Sequence, residues 1–175
     1  MLDVTVRPYT PVDRTACLTI FDTNVPTFFA PDERDGFASF LDQGGKYLVL
    51  CDTDGAIVGC GGVRVRADGQ TAILRWGMIR AALHRRGLGR SLTLERLRQV
   101  SASTEIVRVV LYTTGQTAGF YRTLGFRDVA ILPDHYGPGL DQHAMEAAVD
   151  ATFRQQLAAH RRTIRHQGDK CIDGA

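Results

Sequence analysis

Between residues 46 and 80 the apolar pattern takes the period of a strand three times in succession. The runs "KYLVLC" (46–51), "AIVGCGGVRVR" (56–66) and "TAILRWGMIR" (71–80) are separated by Asp54-Gly55 and Asp68-Gly69. Asp-Gly between two β-rich runs supplies the positive φ of a tight hairpin. The centre of the chain therefore reads as an antiparallel meander, and the other segments have to pack around it.

Upstream, Val4 and Val6 alternate with polar neighbours in a short strand over 3–8, stopped by Pro8. Thr10-Pro11-Val12-Asp13 opens a helix, with a Thr cap, Pro in the first turn and Asp three residues after the cap. Cys17, Ile20 and Phe21 give it an apolar face. After the break at "NVPTFFAPDE", Phe37, Phe40 and Leu41 outline a second short helix ending at Gly44-Gly45.

Downstream, Leu88, Leu92, Leu94, Leu97 and Val100 have helical spacing. "IVRVVLYT" (106–113) is a continuous β-branched run, which predicts a strand covered on both faces. "TAGFYRTLGF" predicts a short helix closed by Gly125. Two strands near 126–132 and 142–149 surround the loop "PDHYGPGLD". From 151, Phe153, Leu157, Ala158 and Ile164 predict an amphipathic helix, with a loose tail from about 167. The fold class is α/β (α+β): a mixed, mostly antiparallel sheet of six to seven strands, about four flanking helices and a C-terminal helix. There is no internal repeat or low-complexity linker. One domain over 1–150 is expected, with 151–175 as a helical extension packed on that domain or on a second subunit, which leaves a homodimer open.

A chain of 175 residues with 44% hydrophobic content is long enough for one core and short for two. A formal net charge of +2 argues against nucleic acid as a partner, so the arginine clusters at 84–98 and 154–165 read as solvated helix faces. Cys17, Cys51, Cys60 and Cys171 form no C-x-x-C pair and no zinc spacing, and no metal site is expected. The first residues lack the apolar core of a signal peptide, and no apolar run is long enough to span a bilayer. These features predict a soluble, cytoplasmic protein with reduced thiols and no membrane partner.

"HRRGLGRSL" (84–92) places Gly87 and Gly89 between a strand and a helix. The first N–H groups of a helix lack intrahelical partners and, with the dipole behind them, favour an anion. Glycines allow close backbone approach, and Arg85, Arg86 and Arg90 add charge. No Lys-Ser/Thr follows the second glycine, which excludes a P-loop, and Leu92 stands where a dinucleotide fingerprint needs its third glycine.

"WGMIRAALHRRGLGRSLTLERL" followed by "VVLYTTGQTAGFYRTLGF" resembles the Gcn5-related N-acetyltransferases, the GNAT superfamily. The family's Gln/Arg-x-x-Gly-x-Gly/Ala signature is matched by His84-Arg85-Arg86-Gly87-Leu88-Gly89, and its Tyr-x-x-x-Gly-Phe pattern by residues 121–126. The order of elements matches over about 3–149. His84 replaces the usual Gln/Arg, Ala81 a frequent Pro, and Gln116 and Thr117 a common Asn and Ala.

The resemblance implies that acetyl-CoA is the co-substrate, with its phosphates on the turn from His84 through Leu88 to Ser91. It implies that the pantetheine arm pairs with strand backbone at Met78, Ile79 and Arg80, and that Thr114 or Gln116 replaces the missing Asn contact. Tyr121 is the implied general acid for the leaving thiolate, and a backbone N–H near Ile79 the oxyanion donor. A primary amine, on a small molecule or on a protein or peptide, attacks the thioester directly with no covalent enzyme intermediate.

The general base stays open. No carboxylate lies in 71–80, Glu33, Asp134 and His135 are candidates beside a water chain, and Glu95 and Glu105 are set aside as helix surface and loop. By resemblance the acceptor lies between "FDTNVPTFFAPDE" and "LPDHYGPGLDQ", whose aromatic and acidic residues suit a cationic amine and equally suit solvated loops. Polyamine, amino acid, aminoglycoside-like drug and protein amine are all left open. A non-catalytic acyl-CoA-binding module is the alternative, favoured by the missing strand carboxylate and by His84.

Overall fold

The two Asp-Gly pairs turn the chain as their chemistry requires. Gly55 and Gly69 adopt φ of 81° and 69°, while the side chains of Asp52 and Asp68 accept hydrogen bonds from backbone N–H groups of their own turns. A computed structural model describes residues 3–160 and 165–166. Its strands are β1 (Thr5–Pro8), β2 (Lys46–Cys51), β3 (Ile57–Val65), β4 (Thr71–Ile79), β5 (Arg108–Thr114), β6 (Arg127–Leu132), β7 (Gln142–Ala148) and β8 (Arg165–His166). They form one sheet in the order β6-β7-β5-β4-β3-β2-β1-β8, antiparallel except at β4–β5 and at β1–β8. The two-residue β8 adds an eighth strand to the expected six to seven. Ile164 and the expected tail beyond 167 lie outside the described residues.

Among the described residues five α-helices, α1 (Arg14–Asp22), α2 (Glu33–Asp42), α3 (Leu88–Ser101), α4 (Gly115–Arg122) and α5 (Ala151–Ala159), pack on the sheet. Residues 11–13 form a 3-10 turn rather than the first turn of α1. There Asp13 accepts two hydrogen bonds from Arg7 of β1, at 2.7 and 2.8 Å, and one from the Thr10 N–H at 2.8 Å. Those bonds fasten the turn to the sheet before the helix begins. α1 and α2 bury Phe21 and Phe37 with Tyr47, Val49, Cys60 and Met78 of the meander. On the other face, Leu94, Leu97, Val109, Leu111, Phe126 and Met145 form a second core under α3 and α4.

α5 packs against α3, with Leu157 buried and Phe153 against that second core. Arg154 donates to the carbonyl oxygens of Ser101, Ser103 and Ile106, and Arg98 donates to His160 O at 2.8 Å. The Arg154 bonds close the α3 C-terminus and the Arg98 bond the C-terminus of α5, where unpaired carbonyls would otherwise need water.

β4 and β5 part company halfway along. Their parallel register runs from Thr71 opposite Arg108 to Leu74 opposite Leu111 and stops there, although β4 continues to Ile79 and β5 to Thr114. A bulge lies where they separate: Cys60 pairs with Met78 and Gly62 with Arg75, so that Trp76 and Gly77 together face Gly61. Trp76 takes a φ of 48° to achieve this. A bulge of this kind bends its strand and increases the local twist, which turns the end of β4 away from β5.

Candidate active site

The divergence of β4 and β5 opens a cavity of about 480 Å³ between them. Its walls include Met78 and Ile79 from β4, Thr114 at the end of β5, Gly89 from α3, and Thr117 and Tyr121 from α4. That volume lies within the usual range for small-molecule sites, roughly 300–1,000 Å³.

One end of the cavity is the α3 N-terminus. Gly87 caps it with φ 82°, in the left-handed region that glycine tolerates best. The N–H of Ser91 donates back to Gly87 O, so the N–H groups of Leu88, Gly89 and Arg90 precede the first intrahelical bond. In front of Gly89, a Cβ would meet only Ile79 Cγ1 at 3.9 Å. Arg85, at φ 60°, lines the cavity, and Arg86 and Arg90 flank the turn. This arrangement suits an anion that approaches the backbone closely.

Along β4, backbone direction decides what faces the gap. The Arg80 N–H donates to Val58 O at 2.8 Å and its guanidinium to Ile57 O at 2.8 Å, so Arg80 faces β3 rather than the cavity. Alternation of backbone groups along a strand then directs Ile79 toward the gap. Ile79 O accepts from Asn24 Nδ2 at 3.0 Å and from His84 Nε2 at 2.9 Å. The His84 ring, edge-on to Phe28, therefore folds back onto the end of β4 instead of reaching along the glycine turn. Gln116 is exposed and lies outside the cavity, while Thr114 and Thr117 line it. Gln116 sits in the first turn of α4, whose buried side faces the core through Ala118.

Arg96 is the residue that the sequence pattern hides. Read as part of a solvated arginine face, it is 1% exposed. It extends under the bulge, where Nε and Nη2 donate to Gly62 O at 3.1 and 3.0 Å and Nη2 donates to Arg75 O at 3.2 Å. Its guanidinium lies at the cavity wall, which Tyr121 also lines. Burial pulls its pKa below the ordinary value, and the electrostatic influence of Tyr121 and Tyr47 opposes that shift. Glu95 is buried as well, paired with Arg98 at 2.6 Å, and is not the helix-surface residue expected.

The mouth of the cavity carries Phe28, Phe29, Glu33, Trp76, Tyr136 and Gln142. Glu33 Oε2 accepts the Ala30 N–H at 2.8 Å, and burial raises the carboxyl above its usual range. Of the three candidate bases only Glu33 lines the cavity; Asp134 accepts from Gly139 N on an exposed loop, beside the exposed His135. Trp76 Nε1 is buried and makes no hydrogen bond. Cys60 is fully buried and lies outside the cavity wall. The described residues hold no cluster suited to a metal ion, and none of their helices is long and apolar enough to cross a membrane.

Residues 43–128 match the model of the acetyltransferase (GNAT) domain. Those residues form a GNAT-superfamily domain. Solved structures share its fold. A GNAT-family protein from Desulfovibrio desulfuricans is 25% identical, with a TM-score of 0.68 over 84% of this chain and 99% of that one. The ribosomal-protein-S18-alanine N-acetyltransferase of Escherichia coli is 21% identical, at 0.69 over 84% and 94%. A Salmonella typhimurium protein solved with its cofactor acetyl-CoA is 20% identical, at 0.64 over 85% and 95%. No match is found among curated protein sequences.

Proposed function

We propose that this GNAT protein transfers an acetyl group from acetyl-CoA to a primary amine by direct attack on the thioester. The observation that carries this reading is the opening between β4 and β5, which ends at the α3 N-terminus and has Tyr121 on its wall. The free N–H groups of Leu88, Gly89 and Arg90, with Arg85, Arg86 and Arg90 around them, suit the pyrophosphate of coenzyme A. The unpaired edge of β4 at the Ile79 backbone suits an amide of pantetheine, with the Met78 side chain on the cavity wall beside it. Its thioester carbonyl needs a donor, and the Ile79 backbone and the unpartnered Trp76 Nε1 are the groups nearest that role.

In the chemistry that follows, an amine nitrogen bonds to the acetyl carbon and the carbon–sulfur bond breaks. Glu33, whose raised pKa makes it a better proton acceptor, takes the proton that the amine must lose. Tyr121 donates its hydroxyl proton to the departing sulfur and regains one from water. The buried Arg96 cation supplies a positive field at the same wall, which favours negative charge developing on sulfur and oxygen. No covalent intermediate is needed, since positioning the two substrates in line supplies much of the acceleration.

The test is coenzyme A release from acetyl-CoA with a broad panel of amines, alongside thermal shift with acetyl-CoA alone. A rise in unfolding temperature together with amine-dependent release supports the reading. A rise without release by any amine would favour the acyl-CoA-binding module instead.

A further inference from the structure

One uncovered face of the sheet is unusually rich in arginine. Register places Arg64 of β3 opposite Ile73 of β4, and Thr71 and Ile73 opposite Arg108 and Val110 of β5. Val110 in turn lies opposite Glu146 of β7, and Glu146 opposite Arg127 of β6, so all of these share one face. Arg66 joins them, because its N–H donates to Thr71 O at 2.8 Å just beyond β3. Arg75 occupies the same face, with its guanidinium 5.9 Å from the Phe40 ring of α2.

The helix layer of α1 and α2 reaches this face only as far as Arg75. Beyond it, Tyr112 is 45% exposed and the side chains of Arg108 and Arg127 are 47% and 79% exposed. Against five arginines stands Glu146, which is 2.7 Å from Arg127 and 3.8 Å from Arg108. Asp68, at the rim, is held by Thr71 at 2.8 Å. Arg64, Arg66 and Arg75 make no ion pair among the described residues. A whole-chain charge of only +2 thus conceals a strongly positive surface.

This surface leads into the cavity, because Arg75 and Tyr112 belong to both. We propose that it docks the body of an acidic polypeptide whose amino terminus enters the cavity beside Glu33. The inference rests on the acetyltransferase reading for the fate of that amine. From β3 to β6 the face crosses four strand spacings, about 19 Å, which is the length of roughly six extended residues. A small amine cannot span it, and a polycationic acceptor is repelled by it. An extended acidic segment matches both its length and its sign.

The experiment measures equilibrium binding of short peptides with free amino termini, identical except for acidic, neutral or basic residues after the first. Wild type is compared with Arg64→Gln/Arg66→Gln/Arg108→Gln, and thermal unfolding confirms that the triple variant is folded. The acidic peptide should bind on the order of tenfold tighter than the neutral one at low ionic strength, with the advantage shrinking in salt and disappearing in the variant. Equal binding of neutral or basic peptides, or an undiminished advantage in the variant, overturns the proposal. So does tight binding of a single-stranded oligonucleotide by a protein that shows no peptide preference. Acetylation is scored separately on the same peptides and on small amines. Acidic binding with no acetylation of any amine sinks the enzymatic reading alone; acetylation without acidic preference sinks the docking face alone.

Discussion

Gly77 and Arg96 occupy adjoining space in which neither can grow. A Cβ on Gly77 would collide with Nη1 of Arg96, and one on Gly61 would come within 3.1 Å of its Cδ. The guanidinium cannot swing aside cheaply, because it is buried and holds the carbonyls of Gly62 and Arg75. Gly77→Ala should therefore cost about 2–3 kcal/mol of stability and reduce acetyl transfer. A double-mutant cycle by denaturant titration checks the cause: the same change made in Arg96→Met should cost much less.

Gly89 should separate space from charge. Its surroundings are open and its φ is not positive, so Gly89→Ala should leave stability and acetyl-CoA binding nearly unchanged. Gly89→Asp puts a carboxylate at the helix N-terminus where the pyrophosphate is proposed to rest. It should abolish the acetyl-CoA thermal shift while the protein's own melting temperature is retained.

Tyr121 packs edge-on against Phe120 and Phe126, with centroids 4.9 and 5.8 Å away, so its ring has a structural role apart from its hydroxyl. Tyr121→Phe keeps the ring. Under conditions where acyl transfer limits the rate, kcat should fall on the order of 10²-fold with little change in KM for acetyl-CoA. Wild-type turnover in that variant would leave Tyr121 as a packing residue only.

Glu33 gives a pH prediction with a definite sign. As the proposed base it reacts as the carboxylate, and burial raises its pKa, so kcat/KM should fall as pH drops through a value above the usual 4.5. A group whose folded pKa is raised stabilises the fold below its unfolded pKa and loses that contribution as pH rises through the folded value. Glu33→Gln should thus lose activity and the acidic limb of the profile while being at least as stable as wild type at neutral pH. Parallel pH–rate and thermal-melt series measure both.

The parts of this protein that depend on local chemistry were legible in its sequence. Asp54-Gly55 and Asp68-Gly69 mark the hairpins, and Gly87 the start of α3, because positive φ is demanded within a few residues. What depends on distant partners was not. Arg96 has the spacing of a surface residue, and only the glycines at 61 and 77 make room for it inside. Arg80 and Gln116 share their neighbours' pattern, and backbone direction and helix rotation turn them away from the cavity. Glu33 resembles any loop acid until the folded chain buries it. The basic face is assembled from four strands, so no window of sequence displays it.

Leu74 and Leu111 are the last register pair joining β4 to β5. Past them the sheet is two leaves on one spine, and the recognition proposed for the open edges reads the repeat of a partner's amides. Such recognition is written in unmade backbone bonds, which substitution of side chains alters little. Most residues can therefore be exchanged while the fold persists, as structures of this fold at 20–25% identity illustrate. Changes of charge are left to the surfaces around the opening, where they can be made without rebuilding the fold.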